Sequence, residues 1–228
     1  VTENGAEKFV PAAEFGTMIS NKALMASFAD PTVMLFMGGF VLAITSTKYK
    51  LDAALAKFML KPFGTRSEYV LLGFILVTAI FSMFMSNTAT AAMMLTFLAP
   101  VFKALPPEGK GRVALTLSIP VAANIGGMGT PIGTPPNAIA LKYLNSPTGL
   151  NLGIGFGEWM MYMLPLTVVL LLIGWYLLKT FFPFKKKTIQ LEIEGEVQHN
   201  WRTMVVAGTF IATVLLWICD RWTGVGSN

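Results

Sequence analysis

The sequence predicts an all-α membrane protein whose transmembrane helices include a re-entrant helical hairpin and a discontinuous helix. Of its 228 residues, 54% are hydrophobic and only 13% are charged, and the mean hydropathy is +0.61. A soluble domain carries about 25% charged residues. Four long stretches contain no charged residue, and two of these hold clusters of small polar and helix-breaking residues. A soluble helix bundle would not need such stretches, because its helices expose one face to water.

The net charge of +5 is interpreted as a topology signal rather than as a nucleic-acid surface. The basic residues collect in loops beside the apolar segments instead of sharing one face, so a lipid bilayer is the expected partner and no nucleic acid is expected. Cys219 is the only cysteine, which excludes an intrachain disulfide and a cysteine-based metal site. The single histidine, His199, lies in the polar segment EGEVQHN and is interpreted as a solvated loop residue.

The first two parts of the chain are residues 1–30 and 31–66. Residues 1–30 hold no apolar run long enough to span and no signal-peptide pattern, and we expect both chain ends to be boundaries of an incomplete chain. Residues 31–46, PTVMLFMGGFVLAITS, predict the first span. Residues 51–61 predict an interfacial helix with Asp52, Lys57 and Lys61 on its polar face. The apolar face consists of Leu51, Ala54, Leu55, Phe58 and Met59.

A break is predicted between Glu68 and Lys103. One straight helix over this segment would be roughly 50 Å long, whereas the hydrocarbon core is about 30 Å thick. Ser86, Asn87 and Thr88 mark the break, because such side chains compete with the helix for its backbone groups. Two full spans and a re-entrant hairpin both satisfy this pattern. Basic residues at both ends place these ends on one side of the membrane, and only the hairpin puts Asn87 at the midplane.

A second break is predicted in residues 124–137, NIGGMGTPIGTPPN. Pro131, Pro135 and Pro136 lack the N–H that a helix needs, so this charge-free segment is predicted to be a discontinuous helix. A half-helix that ends near Gly126 offers carbonyl oxygens to a cation, and one that begins near Asn137 offers N–H groups to an anion. Irregular backbone survives at membrane depth only beside protein or a water-filled cavity, which points to a solute site.

The polar side chains at the two breaks have more than one interpretation. Thr88 and Thr90 begin the second arm of the hairpin with hydroxyl donors that suit an anion. Thr130, Thr134 and Asn137 either belong to a solute site or cap the two half-helices. The sequence alone leaves both interpretations open.

The last part of the chain, residues 157–228, is expected to contain two further spans. These run from Trp159 to Leu178 and from Thr203 to Cys219, and neither contains a charged residue. A polar cytoplasmic loop from Thr188 to Asn200 is predicted to join them. The hairpin and the broken helix then occupy the remaining part, residues 67–156.

The residues around both breaks resemble a known family of carriers. FSMFMSNTATAAMM, residues 81–94, together with ANIGGMGTPIGTPPNAIA, residues 123–140, closely resembles the divalent anion/sodium symporter family. That family contains the sodium-coupled dicarboxylate and citrate carriers. The likeness continues upstream through ADPTVMLFMGGFVLA, residues 29–43, and covers roughly Ala29 to Asn228.

The resemblance implies a set of site residues. It implies that Asn87 and Thr88 bind a substrate carboxylate and that residues of the unwound segment contribute to both substrate and sodium sites. The implied substrate-binding residues are Asn87, Thr88, Thr134 and Pro135. The implied sodium ligands are Ser82, Ser86, Asn87, Gly129 and Thr130, the last two from the unwound segment.

The resemblance also implies an activity, which is sodium-coupled symport of succinate- or citrate-like anions by alternating access. Such a carrier is multi-pass in the cell (inner) membrane and is expected to be a homodimer. A transport domain, here residues 67–156, would slide against a scaffold that includes the spans of residues 157–228, with residues 51–61 connecting the two. Family members contain two inverted repeats, whereas this chain holds one Ser-Asn-Thr motif. The chain is therefore expected to be half of such a carrier, although two assembled chains or an inactive remnant would show the same pattern.

An anion channel, an intramembrane enzyme and an ion antiporter are the alternative function classes. An anion channel would need a continuous polar pore lining, whereas here the polar groups cluster at one depth. An intramembrane enzyme would need a nucleophile with a base, or metal-binding carboxylates, and the charge-free stretches contain no Asp, Glu or His. The protein is therefore expected not to be an enzyme. A related ion antiporter is the closest alternative.

Overall fold

The computed structural model describes residues 2–3, 6–7, 21–29, 31–103, 105–147, 149–189 and 201–219. Two short strands, β1 and β2, pair antiparallel near the start of the chain, and the rest of the described regular structure is helical. The strands are Thr2–Glu3 and Ala6–Glu7. The α-helices are α1 (Asn21–Ala26), α2 (Pro31–Lys48), α3 (Leu51–Leu60), α4 (Ser67–Ser82), α5 (Asn87–Lys103), α6 (Lys110–Gly127), α7 (Pro135–Asn145), α8 (Phe156–Phe181) and α9 (Trp201–Ile218). Short 3-10 turns, Ser27–Ala29 and Lys61–Phe63, follow α1 and α3.

Helix α4 is the centre of the packed body. It packs most extensively on α6, which in turn packs on α5 and α8. Most residues of α4 are buried, including Phe74 and Ile75, which belong to the main hydrophobic cluster. Small residues on α6 allow the close approach, because a Cβ atom on Gly126 would lie 2.4 Å from the Cα and the carbonyl oxygen of Ala79. The backbones of α4 and α6 therefore touch one turn before Ser82.

The first predicted break is present between α4 and α5. The two helices are joined by residues 83–86, slightly earlier than predicted, so that Asn87 and Thr88 lie in the first turn of α5. The Ser86 hydroxyl accepts a hydrogen bond from the N–H of Ala89 at 3.2 Å, which is N-capping and explains why the helix restarts there. The arms contain 16 and 17 residues. Each is about 25 Å long, less than the roughly 30 Å of a hydrocarbon core.

The predicted discontinuous helix is observed as α6 and α7 with a gap at residues 128–134. Pro131 lies within this gap, and Pro135 begins α7 at a position where a missing N–H costs nothing. The predicted ends at Gly126 and Asn137 lie within two residues of the observed ends, Gly127 and Pro135.

The predicted interfacial helix is α3, but the side chain of Asp52 does not lie on a solvent-facing side. Asp52 is buried, and its carboxylate accepts hydrogen bonds from the Thr47 hydroxyl at 2.9 Å and from the N–H of Ala53 at 2.8 Å. Phe58 is 73% exposed, which leaves the apolar face of α3 available to lipid. The correction concerns one charged residue, whose burial is made tolerable by these two donors.

Two helices in the described part of the chain, α8 and α9, are long and apolar enough to cross a membrane. Residues Val33–Lys48 of α2 and the whole of α4 are also apolar but shorter. Most apolar side chains of α8 and α9 are exposed, as lipid-facing helices require. His199 and most of the predicted polar loop lie outside the described residues.

Candidate functional site

Three closely spaced oxygen atoms come together where the end of α4, the beginning of α5 and helix α6 meet. The Ser82 hydroxyl lies 2.7 Å from the side-chain oxygen of Asn87 and 2.7 Å from the carbonyl oxygen of Ala123 on α6. Ser82 is fully buried. A hydroxyl has one hydrogen to donate, so it cannot satisfy both acceptors at once. The group therefore holds more oxygen lone pairs than hydrogens.

The side chain of Asn87 connects this oxygen group to a second amide. Its Oδ1 atom accepts from Ser82, and its Nδ2 atom donates to the side-chain oxygen of Asn124 at 3.0 Å. In this orientation the Asn87 nitrogen faces the Asn124 oxygen, whereas an exchange of the Asn87 oxygen and nitrogen would place two amide oxygens against each other. Asn87 is half-buried and Asn124 is exposed. The amide pair therefore lies at the accessible edge of the buried oxygen group.

Gly127 is the residue at which the hairpin tip and the unwound segment meet. A Cβ atom there would lie 2.6 Å from Asn87 Oδ1. On the other side, a Cβ atom on Gly133 would lie 2.3 Å from the carbonyl oxygen of Gly127. Both glycines are buried. The absence of side chains at these two positions lets the backbone of residues 127–133 pack directly against the tip.

The unwound segment is held by Thr130 and Asn137. The Thr130 hydroxyl donates to the carbonyl oxygen of Met83 in the hairpin turn and accepts from the N–H of Gly133 at 3.1 Å. The Asn137 amide donates to the carbonyl oxygens of Gly127 at 2.8 Å and Thr130 at 2.9 Å. The Asn137 bond to Gly127 satisfies a carbonyl group at the end of α6, where the helix supplies no partner. Asn137 therefore caps α6, whereas Thr130 attaches the unwound segment to the turn between α4 and α5.

Only some of the predicted site residues are in contact with one another. Ser82 and Asn87 are in direct contact, whereas the Ser86 hydroxyl is used to cap α5. Thr88 is exposed in the first turn of α5. Thr90 is fully buried, and its hydroxyl has no hydrogen-bond partner in the described part of the chain. The unwound segment contributes three further predicted residues, namely Gly129, which is buried beside Met83, Thr134, which is half-buried, and Pro135, which is exposed.

Thr134 precedes α7 with extended backbone angles, and its side chain makes no capping hydrogen bond to the helix. Of the three candidate capping residues, Asn137 caps the end of α6, Thr130 bonds the Met83 carbonyl outside both half-helices, and the Thr134 side chain makes no capping bond. The hydroxyl of Thr134 is left for contacts at the start of α7.

Three further groups contact the site or the unwound segment but lie outside the predicted set of site residues, namely Asn124, the Ala123 carbonyl and Trp159. Asn124 carried a usable signal, since an asparagine inside a charge-free apolar helix is costly unless it is paired. Trp159 stands at the start of an apolar span, where tryptophan is typical of a membrane interface, yet its indole N–H donates to the carbonyl oxygen of Met128 at 3.1 Å. The Ala123 carbonyl carried no side-chain signal, because its role depends on the approach of α4 to α6.

The Asn137 amide provides a test of the unwound segment. We expect Asn137→Asp to destabilise the protein more than Asn137→Ala, because aspartate places a charge against the carbonyl oxygens of Gly127 and Thr130. The losses are about 1–2 kcal/mol for alanine and larger for aspartate. The measurement is reversible unfolding in mixed detergent micelles.

Asn145→Ala is the matched control for these variants, because its amide bonds only Ile154 in the loop before α8. Equal stability of the Asn137→Asp and Asn137→Ala proteins would show that the two carbonyl contacts do not determine the effect.

The chain is similar in sequence to known transport proteins. A family model described as citrate transporter, CitMHS, matches residues 9–225. An uncharacterized transporter from Haemophilus influenzae is 42% identical over 157 residues, covering 68% of this chain and 32% of the relative. Sodium-dependent dicarboxylate transporters SdcS from Staphylococcus saprophyticus and Staphylococcus aureus (strain USA300) are 30% and 29% identical, covering 89% of this chain and 42% of each relative.

These matches confirm the resemblance found in the sequence, and the chain spans less than half of the length of these relatives. Membership rests on the family model, which matches nearly the whole chain. The chain belongs to the citrate transporter family, whose members and the named relatives are transporters rather than enzymes.

Proposed function

We propose that the protein is part of a secondary active carrier that moves a dicarboxylate or tricarboxylate anion together with sodium. The observation that carries this proposal is the Ser82 oxygen group, in which two acceptors 2.7 Å from one buried hydroxyl share a single hydrogen. A sodium ion bound by these oxygens would satisfy the lone pairs left over. Sodium is a hard cation that prefers oxygen, and broken helices in carriers supply such carbonyls.

The proposed anion site lies at the starts of α5 and α7. Each of these helices begins directly after a break. Thr88 lies in the first turn of α5, Pro135 is the first residue of α7 and Thr134 directly precedes it. Helix N-termini favour a carboxylate through their positive dipole and, in α5, through the N–H groups of the first turn; Pro135 and Pro136 leave α7 with the dipole but without an N–H at its first two positions. Gly127 contacts both the tip and the unwound segment, which supports a single site built from the two breaks. The family description and the names of the relatives fit citrate-like and dicarboxylate substrates.

Asn87 provides the proposed coupling between the two ions. Its oxygen belongs to the sodium group, and its nitrogen points to the accessible edge, where Asn124 accepts the hydrogen bond. Sodium bound to Oδ1 would hold the amide so that Nδ2 faces an incoming carboxylate. Each ion would then raise the affinity for the other by the same factor.

We further propose that α8 moves with the hairpin and the broken helix, although the sequence placed it with the scaffold. The Trp159 indole bonds Met128 in the unwound segment, and the Trp175 indole donates to the carbonyl oxygen of Glu68 in α4 at 2.9 Å. Movement of α4 and the unwound segment without α8 would break both bonds. Helix α3 would link this body to a scaffold, the hairpin would be re-entrant, and the carrier would be a multi-pass homodimer in the cell (inner) membrane with two inverted repeats.

Sodium binding is the first test of this proposal. Trp159 reports on the unwound segment, so tryptophan fluorescence of the purified protein should change in a saturable way with sodium but not with potassium. Trp159→Phe should reduce the fluorescence change, while Trp201→Phe should not, since Trp201 is 65% exposed at the start of α9. A fluorescence response equal in sodium and potassium would overturn the proposed cation site.

Transport is tested in proteoliposomes with radiolabelled succinate and citrate. Saturable uptake that requires an inward sodium gradient supports symport, whereas flux without saturation indicates a channel. Anion uptake that is coupled to efflux of sodium or protons indicates an antiporter. Because the relatives are more than twice as long, carriage of the anion is a property proposed for the whole protein.

A further inference from the structure

A cavity lies at the basic end of α4, opposite the hairpin tip. After α8, residues 182–189 fold back along the start of α4; we name this segment the strap. The N–H of Ser67 donates to the carbonyl oxygen of Lys187 at 3.0 Å, and the N–H of Ile189 donates to that of Thr65 at 2.6 Å. The Ser67 hydroxyl donates to the carbonyl oxygen of Lys186 at 2.5 Å. The strap is therefore fixed to α4 through its backbone.

The cavity opens between α4 and the strap, with a volume of about 460 Å³. Two cations line it, Arg66 from the α4 side and Lys187 from the strap, and the backbone pairing holds them on facing segments. No ion pair joins Arg66 or Lys187 to a carboxylate in the part of the chain that the structure describes. Glu68 also lines the cavity, but its carboxylate lies 4.0 Å from Lys179, whose charge balances it.

The remaining lining suits an oxyanion that carries an apolar tail. Tyr69 and Thr188 supply hydroxyl groups, and Phe184 supplies an apolar wall. The Phe184 ring is itself fixed against α6, because a Cβ atom on Gly111 would lie 2.4 Å from its Cδ1 atom. Two facing cations with hydroxyl groups between them match the several oxygens of a phosphate ester.

Aromatic residues place this cavity at the level of the membrane interface. The Trp175 indole bonds Glu68 at the edge of the cavity, and Lys179 lies over the rings of Trp175 and Tyr176 at 4.3 and 5.5 Å. Tryptophan, tyrosine and lysine near the end of an apolar helix are typical of the headgroup region. Leu177 and Phe181, next on α8, expose apolar side chains that acyl chains could contact.

We propose that this cavity binds the phosphate group of an anionic phospholipid. Arg66 and Lys187 hold the phosphate oxygens, Tyr69 and Thr188 donate hydrogen bonds, and the acyl chains lie along α8. A soluble phosphate would use the same cations but would gain nothing from the exposed apolar residues beside them. The bound lipid joins α4 to the strap, so it also holds these two segments together. This site is independent of the sodium and anion sites proposed above.

The test compares two double variants of equal net charge. Arg66→Gln/Lys187→Gln removes both cations of the cavity, and Lys103→Gln/Lys185→Gln removes two exposed lysines from the same basic end of the molecule. Binding of phosphatidylglycerol and phosphatidylcholine to the detergent-solubilised protein is measured by native mass spectrometry. Thermal unfolding of all proteins without lipid shows that the variants are folded.

We expect the cavity variant to bind phosphatidylglycerol at least about tenfold more weakly than the parent protein, because each basic residue near a membrane contributes roughly a factor of five. The control variant should bind like the parent, and phosphatidylcholine should bind weakly to all three. Equal losses in both variants would show general surface charge and overturn the proposal. Displacement of the lipid by millimolar glycerol 3-phosphate or inorganic phosphate would make the ligand a soluble phosphate, which also overturns it.

Lipid stabilisation gives a second measurement that does not depend on mass spectrometry. A ligand that binds only the folded state raises the unfolding temperature, and the rise grows with the logarithm of the ratio of ligand concentration to dissociation constant. Phosphatidylglycerol should raise the unfolding temperature of the parent and control proteins but not that of the cavity variant. An equal rise in the cavity variant contradicts the proposed site.

Discussion

Replacement of Asn87 by alanine should weaken sodium binding by about 10–100-fold and abolish any sodium-dependent uptake. The variant removes one of the three oxygens around Ser82 and leaves the Asn124 amide without its donor. Losses of this size are typical when a group that holds or orients a metal ligand is removed. The measurement is the sodium dependence of tryptophan fluorescence, followed by uptake in proteoliposomes.

The Asn87→Asp variant separates the two ions. Aspartate keeps an oxygen beside Ser82, so sodium binding should persist, but it loses the N–H group and adds a negative charge where the anion is expected. We therefore expect sodium-dependent fluorescence without anion-dependent stabilisation of the sodium complex. Thr96→Ala is the control on the same helix, because its hydroxyl bonds only the Met93 carbonyl on an exposed face. An Asn87→Asp protein that still couples citrate to sodium would remove Asn87 from the proposed mechanism.

The positions of the two helix breaks could be predicted because they depend on local chemistry. Pro131 and Pro135 lack the N–H that a helix requires, and Ser86 can cap a new helix, so each break follows from neighbouring residues. The hairpin break lay a few residues earlier than predicted, because Ser86 acts as the cap itself and returns Asn87 to the helix. Asn87 and Ser82 were both expected at the site, and their contact spans only five residues.

Contacts between distant segments could not be read from the sequence. The Ala123 carbonyl reaches Ser82 across 41 residues, and nothing in an alanine indicates such a role. The burial of Asp52 depends on the hydroxyl of Thr47, and an amphipathic pattern predicts only that charges avoid the apolar face. The attachment of α8 to α4 likewise depends on the Trp175 indole, whose sequence position suits an interface anchor equally well.

Gly126 is the position where a single methyl group should have the largest effect on stability. The Cβ atom of Gly126→Ala would lie 2.4 Å from the backbone of Ala79, so α4 and α6 must separate. We expect a loss of at least about 3 kcal/mol in the free energy of unfolding, at the upper end of overpacking effects. Gly174→Ala on α8 is the matched control, because its Cβ atom would meet Val121 Cγ1 at an ordinary 3.6 Å. Unfolding in mixed micelles measures both.

The control should be neutral or slightly stabilising, since alanine is favoured over glycine in a helix by about 1 kcal/mol. Ala79→Gly should not rescue Gly126→Ala, because the clash is with backbone atoms of residue 79 and not with its methyl group. A full rescue would contradict the backbone contact.

The same substitution should also weaken sodium binding, although Gly126 itself contributes no side chain to the oxygen group. Ser82 lies three residues after Ala79 on α4, and Ala123 lies three residues before Gly126 on α6, so the two pairs are one helical turn apart. A separation of the helices at Gly126 therefore lengthens the 2.7 Å contact between the Ser82 hydroxyl and the Ala123 carbonyl. A Gly126→Ala protein that is destabilised but binds sodium normally would show that the oxygen group does not depend on the close approach of α4 and α6.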